Sequence, residues 1–116
     1  MDFTENSIDE IWSEYAKNKD VELRNYILTQ YLHIVEIIAA RMRGTYRNLA
    51  ERDDMMSCGT IALMHSIERF DCTRDIKFET FAGARVRGAM IDYLREQDFA
   101  SRESQARSKE YRRNTR

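Results

Sequence analysis

The scarcity of helix-breaking residues constrains the fold of this chain more than any other feature. Its 116 residues include no proline and only four glycines. Proline and glycine end helices and form the tight turns of hairpins, so a chain with so few of them has little means of connecting short strands. A charged fraction of 34% suits long helices with one solvated face. The sequence therefore predicts an all-α fold, a compact bundle of about four helices with a polar and mobile C-terminal helix.

Hydrophobic periodicity places the helices along the chain. The predicted helices cover residues 8–17, 20–43, 53–70 and 78–97, with a fifth that begins after residue 101. Ser7 and Glu10 form a capping box before the first helix, and Gly44 is a suitable stop for the second. The apolar seam of the second helix consists of Leu23, Ile27, Tyr31, Ile34, Ile38 and Met42. Residues 45–52 are predicted to be a connector. The last helix has almost no apolar residues besides Ala106 and Tyr111, so it is expected to be mobile or to dock on a partner.

Basic residues are concentrated toward the C-terminus, although the formal net charge of the chain is only −1. Residues 1–30 carry three basic and seven acidic side chains, whereas residues 85–116 carry nine basic and five acidic ones. This distribution fits a chain with one surface that faces nucleic acid and another that faces protein. Unrelated charges on a solvated helix end explain the composition equally well.

Composition and spacing argue against several other classes of protein. Cys58 and Cys72 form no CxxC motif, which indicates a reduced, cytoplasmic compartment. No apolar run approaches the ~20 residues of a membrane span, so no membrane partner is expected. The sequence has two histidines, His33 and His65, and it has no glycine-rich phosphate loop and no paired nucleophile and base. We therefore expect no enzymatic activity and no metal or cofactor.

The predicted third helix carries more small and polar residues than a helix that only fills a core. These residues are Asp54, Ser57, Cys58, Thr60 and Ser66, interspersed with Gly59, Ile61, Ala62 and Met64. Small residues leave the backbone accessible, so this pattern predicts a surface that another helix can approach closely. An ordinary amphipathic helix is the alternative, and the spacing alone does not distinguish the two.

Aromatic and basic residues are interleaved in the segment KFETFAGARVRGAMIDYLR, residues 77–95. Phe78 and Phe81 lie three residues apart, and Arg85 follows Phe81 by about one helical turn. Aromatic rings stack on unpaired bases while arginines hold the neighbouring phosphates, so this combination favours single-stranded nucleic acid. The alternative is that both rings are core residues. That alternative is strong for Phe78, which leaves Phe81 as the better candidate for an exposed ring.

Three segments together resemble region two of bacterial sigma factors, the promoter-recognition subunits of RNA polymerase. They are IWSEYAKNKDVELRNYILTQYLHIVEIIAARM, DDMMSCGTIALMHSIERFD and FETFAGARVRGAMIDYLR, and the resemblance spans about residues 11–99. Housekeeping sigma factors have two tryptophans where this chain has Ala84 and Arg85, so the chain is most similar to the alternative class that drives motility and sporulation-type genes. The resemblance implies a region-two domain over residues 1–100, with residues 101–116 as the start of the next region.

This resemblance implies that the chain binds RNA polymerase core through its second and third helices. The family grips the clamp helices, a coiled coil of the polymerase, with the matching third helix. The positions that would face the polymerase are Asp54, Ser57, Cys58, Thr60, Ile61 and Met64. Two positions depart from the family pattern, since Ala62 replaces a usual glycine and Cys58 replaces a common polar residue.

The resemblance also implies that the fourth helix recognises and helps to melt the promoter minus-ten element. Phe81 stands where the family usually has a tyrosine, which stacks on a flipped adenine of the non-template single strand. The implied DNA contacts are Lys77, Phe78, Thr80, Phe81, Arg85, Arg87, Asp92, Arg95 and Glu96. For Asp92, Arg95 and Glu96, solvated pairing along the helix is an equally good interpretation. An anti-sigma factor and a downstream domain for the minus-thirty-five element are further implications.

The end of the chain departs from the family pattern. After Asp98 the family tends to continue with tryptophan, an apolar residue, proline, arginine and serine, whereas this chain continues with Phe99, Ala100, Ser101 and Arg102. The sequence then stops, which suggests a piece of a longer protein. The alternative function is a stand-alone, region-two-like interaction subunit that works only with a second protein carrying the other sigma regions.

Overall fold

Four α-helices make up the chain in a computed structural model that describes residues 7–114, with side chains described for residues 7–100, 102 and 103. The helices are α1 (Ile8–Asn18), α2 (Val21–Arg41), α3 (Leu49–Arg69) and α4 (Phe78–Asn114). Residues 7–114 contain no strand, and the all-α prediction is confirmed. Within the same residues, no helix combines the length and the hydrophobicity that crossing a membrane requires.

The predicted Ser7 cap begins α1, and Asp20, near which the second helix was expected to start, caps α2. The Ser7 Oγ accepts a hydrogen bond from the Glu10 N–H at 3.2 Å, and the Asp20 carboxylate accepts one from the Glu22 N–H at 2.9 Å. α1 ends at Lys19, which adopts a left-handed conformation with φ of 50° and donates its N–H to the Tyr15 carbonyl. Two residues therefore turn the chain from α1 directly into α2.

α3 begins earlier than the sequence analysis predicted, at Leu49 instead of Asp53. The Asn48 Oδ1 accepts a hydrogen bond from the Glu51 N–H at 2.9 Å, while the Glu51 carboxylate accepts one from the Arg47 N–H at 2.5 Å. This reciprocal arrangement resembles a capping box, and it satisfies one amide of the first turn and the amide of Arg47 before the helix. The predicted connector over residues 45–52 was therefore too long, because its second half is helical.

Two predicted helix ends were wrong. The described glycines all have negative φ values, so Gly44 does not end α2 in a left-handed conformation. α4 continues without a break from Phe78 to Asn114, where two helices were predicted. No glycine or proline follows Gly88, so the backbone has no residue that would interrupt the helix. The side chains of Ala106 and Tyr111 lie outside the described residues.

The hydrophobic core lies between α2, α3 and α4, with α1 packed on α2. Its buried members are Ile11, Trp12, Tyr15, Leu23, Ile27, Val35, Ala39, Met55, Leu63, Ile67, Phe78, Ala82, Val86 and Met90. The predicted seam of α2 is confirmed by the burial of Leu23, Ile27 and Ile34, and its other members are half-buried at the edge of the core. The core therefore fixes which surfaces of α3 and α4 face outward.

Gly59 lies inside the bundle, where α3 crosses α2 and α4. A Cβ atom built on Gly59 would lie 2.7 Å from Met90 Cε, 2.9 Å from Val35 Cγ1 and 3.2 Å from Val86 Cγ1. The close helix approach that this glycine permits is thus made within the chain, and the prediction that it opens the helix to a partner was wrong. Other residues must form the outer surface of α3.

Candidate protein and nucleic-acid interfaces

The six α3 residues predicted to bind polymerase lie on the side of the helix that points away from the core. At 3.6 residues per turn they span an arc of about 160°. Asp54, Ser57 and Ile61 are exposed, while Cys58, Thr60 and Met64 are half-buried at the margins. The structure therefore brings all six together, and we call this set the α3 outer face.

The α3 outer face offers both polar acceptors and apolar area. The hydroxyls of Ser57 and Thr60 donate within the helix, to the Asp53 carbonyl at 3.1 Å and the Met56 carbonyl at 2.8 Å. Each hydroxyl oxygen can still accept a hydrogen bond from a partner. Ile61 is 52% exposed, so it can bury a substantial apolar area in a complex. A helix with complementary donors and apolar residues could pack on this face.

Cys58 behaves as a small apolar member of the α3 outer face. Burial raises the pKa of its thiol, and the negative charges of Asp54 and Glu96 raise it further. The thiol therefore stays protonated at neutral pH, when it is a weak nucleophile and a poor metal ligand. Among the described residues, no three histidine, cysteine or acidic side chains lie close enough together to hold a metal ion.

A hydrogen bond connects the α3 outer face to α4. The Tyr93 hydroxyl donates to the Asp54 Oδ2 at 3.0 Å. Burial, together with the hydrogen bond and charge of Asp54, raises the pKa of Tyr93 to about 12, and the nearby Glu51 and Cys58 act in the same direction. The sequence analysis missed Tyr93, because its position in the DYLR segment says nothing about which residue of α3 lies opposite.

Phe78 is a core residue, and the prediction that it contacts DNA was wrong. Its side chain is 4% exposed. Its ring centroid lies 4.9 Å from that of Trp12, 4.7 Å from that of Tyr31 and 5.2 Å from that of Phe70. A ring surrounded in this way has no face on which a base could stack.

Phe81, in contrast, lines an open cleft of about 250 Å³ at the start of α4. Its ring is half-buried, with Phe70 at 5.6 Å between centroids and the Arg85 guanidinium at 4.9 Å from the ring centroid. The other lining residues are Arg69, Asp71, Arg74 and Ile76. Three arginines and one carboxylate make the cleft positively charged overall. It therefore joins an aromatic surface to cationic groups, which is the combination that unpaired bases require.

The loop before α4 supplies residues to this cleft that were not among the predicted contacts. The Asp71 carboxylate accepts hydrogen bonds from the Thr73 hydroxyl at 2.6 Å and from the Thr73 amide at 2.9 Å. These bonds hold the pKa of Asp71 below its usual value. Alternating charges in a short segment were the available signal, but only the folded loop places Arg69 and Arg74 beside Phe81.

The remaining predicted DNA contacts divide between two sides of α4. Around the helix axis, five of them lie within about 60° of Phe81, whereas Thr80 and Arg87 lie about 100–120° away. We call the larger set the α4 outer face, which consists of Lys77, Phe81, Arg85, Asp92, Arg95 and Glu96. Asp92 and Arg95 form no ion pair with each other in the described part of the chain. Both side chains are exposed and therefore accessible to a ligand.

Most of the chain that carries these two faces matches one known protein family. The family model described as Sigma-70 region 2 matches residues 15–100. The chain belongs to the sigma-70 region 2 family. This membership confirms the resemblance drawn from the three sequence segments.

Individual relatives place this sigma-70 region 2 chain near motility-type sigma factors. It is 33% identical over 99 residues to the RNA polymerase sigma-D factor of Bacillus subtilis. That alignment covers 85% of this chain and 39% of that protein. It is 32% identical over 88 residues to the RNA polymerase sigma factor FliA of Pseudomonas aeruginosa, covering 76% of this chain and 36% of that protein. It is 33% identical over 87 residues to the RNA polymerase sigma factor FliA of Yersinia enterocolitica. That alignment covers 75% of this chain and 38% of that protein. The chain thus spans less than two-fifths of the length of these relatives.

Proposed function

We propose that this chain binds RNA polymerase core and recognises and helps to open the promoter minus-ten element in transcription initiation. The observation that carries the proposal is the presence of two different outward faces on one sigma-70 region 2 domain. One is the mixed polar and apolar α3 outer face, and the other is the cationic, aromatic α4 outer face with its cleft. The relatives named above are all RNA polymerase sigma factors.

For the polymerase, the α3 outer face would pack against the clamp helices. Ile61 would bury apolar area, while the Ser57 and Thr60 oxygens accept hydrogen bonds at the margin. Depletion of large charges at the centre of the face is consistent with the composition of protein interfaces, where charged residues are concentrated at the rim. The Asp54 carboxylate lies at that rim and would attract a cationic group of the partner.

For the promoter, the cleft beside Phe81 would receive a base of the non-template strand. Stacking on an aromatic ring contributes ~1–3 kcal/mol per base, and extrusion of a base from a duplex costs a few kcal/mol. Because the two quantities are comparable, Phe81 can stabilise an opened base but cannot melt the duplex alone. A base that replaces the Arg85 guanidinium on the Phe81 ring would release this arginine toward the adjacent phosphate.

The alternative function, a stand-alone subunit that depends on a second protein for the other sigma regions, is not favoured. The relatives are named as sigma factors, and no observation on the described residues points to a separate accessory role. Regulation by an anti-sigma factor and a cytoplasmic location are part of the proposal, and they are supported by the family resemblance.

Charge placed on the α3 outer face tests the polymerase half of the proposal. Thr60→Arg and Ile61→Arg should each weaken binding of the chain to RNA polymerase core. Arginine at position 61 would place a large cation at the centre of the face, and arginine at position 60 would place one at its margin. Ala16→Arg is the matched control, since Ala16 is exposed on α1 and lies outside both faces.

Binding is measured by titration of fluorescently labelled chain with core polymerase, and circular dichroism checks the fold of each variant. We expect at least a tenfold loss of affinity for the two α3 variants and no change of affinity for Ala16→Arg. Unchanged affinity of both folded α3 variants would remove this face from the interface.

A further inference from the structure

The hydrogen bond between Tyr93 and Asp54 gives α4 a role in the α3 outer face. Tyr93 packs against the core and is therefore fixed in place, whereas Asp54 is exposed at the edge of α3. Their side chains meet at 3.0 Å between the hydroxyl and Oδ2. We propose that Tyr93 is a positioning residue that holds the Asp54 carboxylate in the orientation in which it contacts RNA polymerase core. This inference rests on the proposed function.

The geometry leaves Asp54 able to bind a partner while it is held. An ionised carboxylate has about four acceptor positions on its two oxygens. Tyr93 occupies one position on Oδ2, so Oδ1 and the second lone pair of Oδ2 remain accessible. A carboxylate already fixed by a donor avoids part of the loss of conformational entropy that a freely rotating side chain incurs when it is ordered in an interface. The matching partner group is a cation or an N–H donor of the polymerase.

The electrostatic surroundings keep this contact in place. The pKa of Tyr93 is raised to about 12 by burial and by Asp54, with Glu51 and Cys58 adding to the effect. These neighbouring groups all disfavour the phenolate, so the hydroxyl remains a donor throughout the neutral range. The orientation of Asp54 would therefore be constant under the conditions in which the polymerase binds.

A double-mutant cycle on binding to RNA polymerase core tests the inference, with Tyr93→Phe, Asp54→Asn and the combined variant in the 116-residue chain. Tyr93→Phe keeps the ring in the core and removes only the donor. We expect it to weaken binding by about three- to tenfold, the range of one modest hydrogen bond. In the Asp54→Asn background it should produce no further loss, since the carboxylate that it orients is already gone. Tyr46→Phe, at another half-buried tyrosine, is the control and should bind normally.

Each other outcome of the cycle contradicts the inference in a distinguishable way. Equal losses from Tyr93→Phe in both backgrounds would mean that the hydroxyl acts through stability and not through Asp54. A loss for Asp54→Asn with none for Tyr93→Phe would overturn the positioning role and leave the proposed function intact. If Tyr93→Phe, Asp54→Asn and Thr60→Arg all bind the polymerase normally, both the proposed function and the inference are overturned.

A second readout does not depend on the polymerase. With the tyrosine ring carbons labelled by ¹³C, an NMR titration follows the ionisation of Tyr93, which is assigned by the signal lost in Tyr93→Phe. Asp54→Asn should lower the pKa of Tyr93 from about 12, although burial keeps it above that of a free tyrosine. An unchanged titration would show that the two side chains do not interact in solution, and the positioning role would be excluded.

Discussion

Aromatic residues near the start of α4 have different roles because their surroundings differ. Phe78 is enclosed by Trp12, Tyr31 and Phe70, so its ring contributes to stability. Phe81 is only three residues away, but it faces a cleft and is contacted by the Arg85 guanidinium. A cation over an exposed ring contributes about 0.5–1 kcal/mol. An incoming base can therefore displace this contact with little loss.

Alanine substitutions at the two positions should separate these roles. Phe81→Ala should lower affinity for a single-stranded minus-ten oligonucleotide by ~1–3 kcal/mol, the value of one stacking contact, and Phe81→Tyr should be nearly neutral. Phe78→Ala should instead lower the free energy of unfolding by ~3–5 kcal/mol, as for other deleted core aromatics. Fluorescence anisotropy measures the first effect and urea denaturation the second. If Phe81→Ala destabilises the fold as strongly as Phe78→Ala, the ring is packing and the stacking proposal is wrong.

At the scale of elements, α3 serves as the central support of the bundle. Its inner side packs against both α2 and α4, and Gly59 lies where the three helices are closest. The Arg24 guanidinium also pairs with Glu68 at 2.9 Å, which joins α2 to the last turns of α3. Because α3 is fixed from two sides, its outer face can be presented to a partner without rearrangement.

Gly59→Ala should destabilise the protein, although alanine is the better helix former. The new methyl group would meet Val35 and Val86 at 2.9 and 3.2 Å. Met90 can move its terminal methyl away, but β-branched valines have few alternative rotamers. Overpacking costs about 1–3 kcal/mol, and the helix propensity gained offsets at most ~1 kcal/mol.

Gly83→Ala is the matched control, because a Cβ atom at Gly83 would have no neighbour within 4 Å. It should stabilise α4 by roughly 0.5–1 kcal/mol. Urea denaturation of both variants measures the difference. A stabilised Gly59→Ala variant would mean that the three helices separate more easily than their packing indicates.

At the scale of the whole molecule, the α4 outer face and its cleft form, among the described side chains, a surface whose charge suits a nucleic acid. The net charge of −1 argues against nonspecific binding along DNA. The cationic members of the α4 outer face are Lys77, Arg85 and Arg95, and they alternate with Asp92 and Glu96. The expected interface is therefore small and adjacent to the stacking cleft.

Binding to a single-stranded minus-ten oligonucleotide should consequently depend only weakly on salt. Each phosphate contact contributes roughly −0.7 to the slope of log affinity against log salt, so three to four contacts predict a slope of about −2 to −3. Anisotropy titrations at several salt concentrations measure the slope, with a duplex of the same sequence as the comparison. A steep slope together with tight duplex binding would favour a conventional reader of double-stranded DNA.

Several structural features of this protein can be predicted from residues that are close together in the sequence. The apolar seam of α2 repeats every three or four residues, so periodicity predicts it, and Ser7 was predicted to cap α1 from the glutamate three residues later. The role of Ile61 was implied only by the family resemblance. The start of α3 was predicted four residues too late. Asn48 and Glu51 cap the helix within a segment whose apolar residues show no helical periodicity. The alternating charges of the link before α4 did not reveal the cleft, since Arg74 and the α3 residue Arg69 lie beside Phe81 only in the folded chain.

The sequence by itself determined the fold class, the family and the helices that carry each face. It did so because helix periodicity and family motifs are encoded by residues close together in the chain. Only the tertiary structure decided which side of each helix is available. It buried Phe78, turned Gly59 toward α2 and α4, and brought Tyr93 to Asp54 from 39 residues away in sequence. Those assignments depend on how three helices cross, and the crossing is fixed by the combined packing of the core.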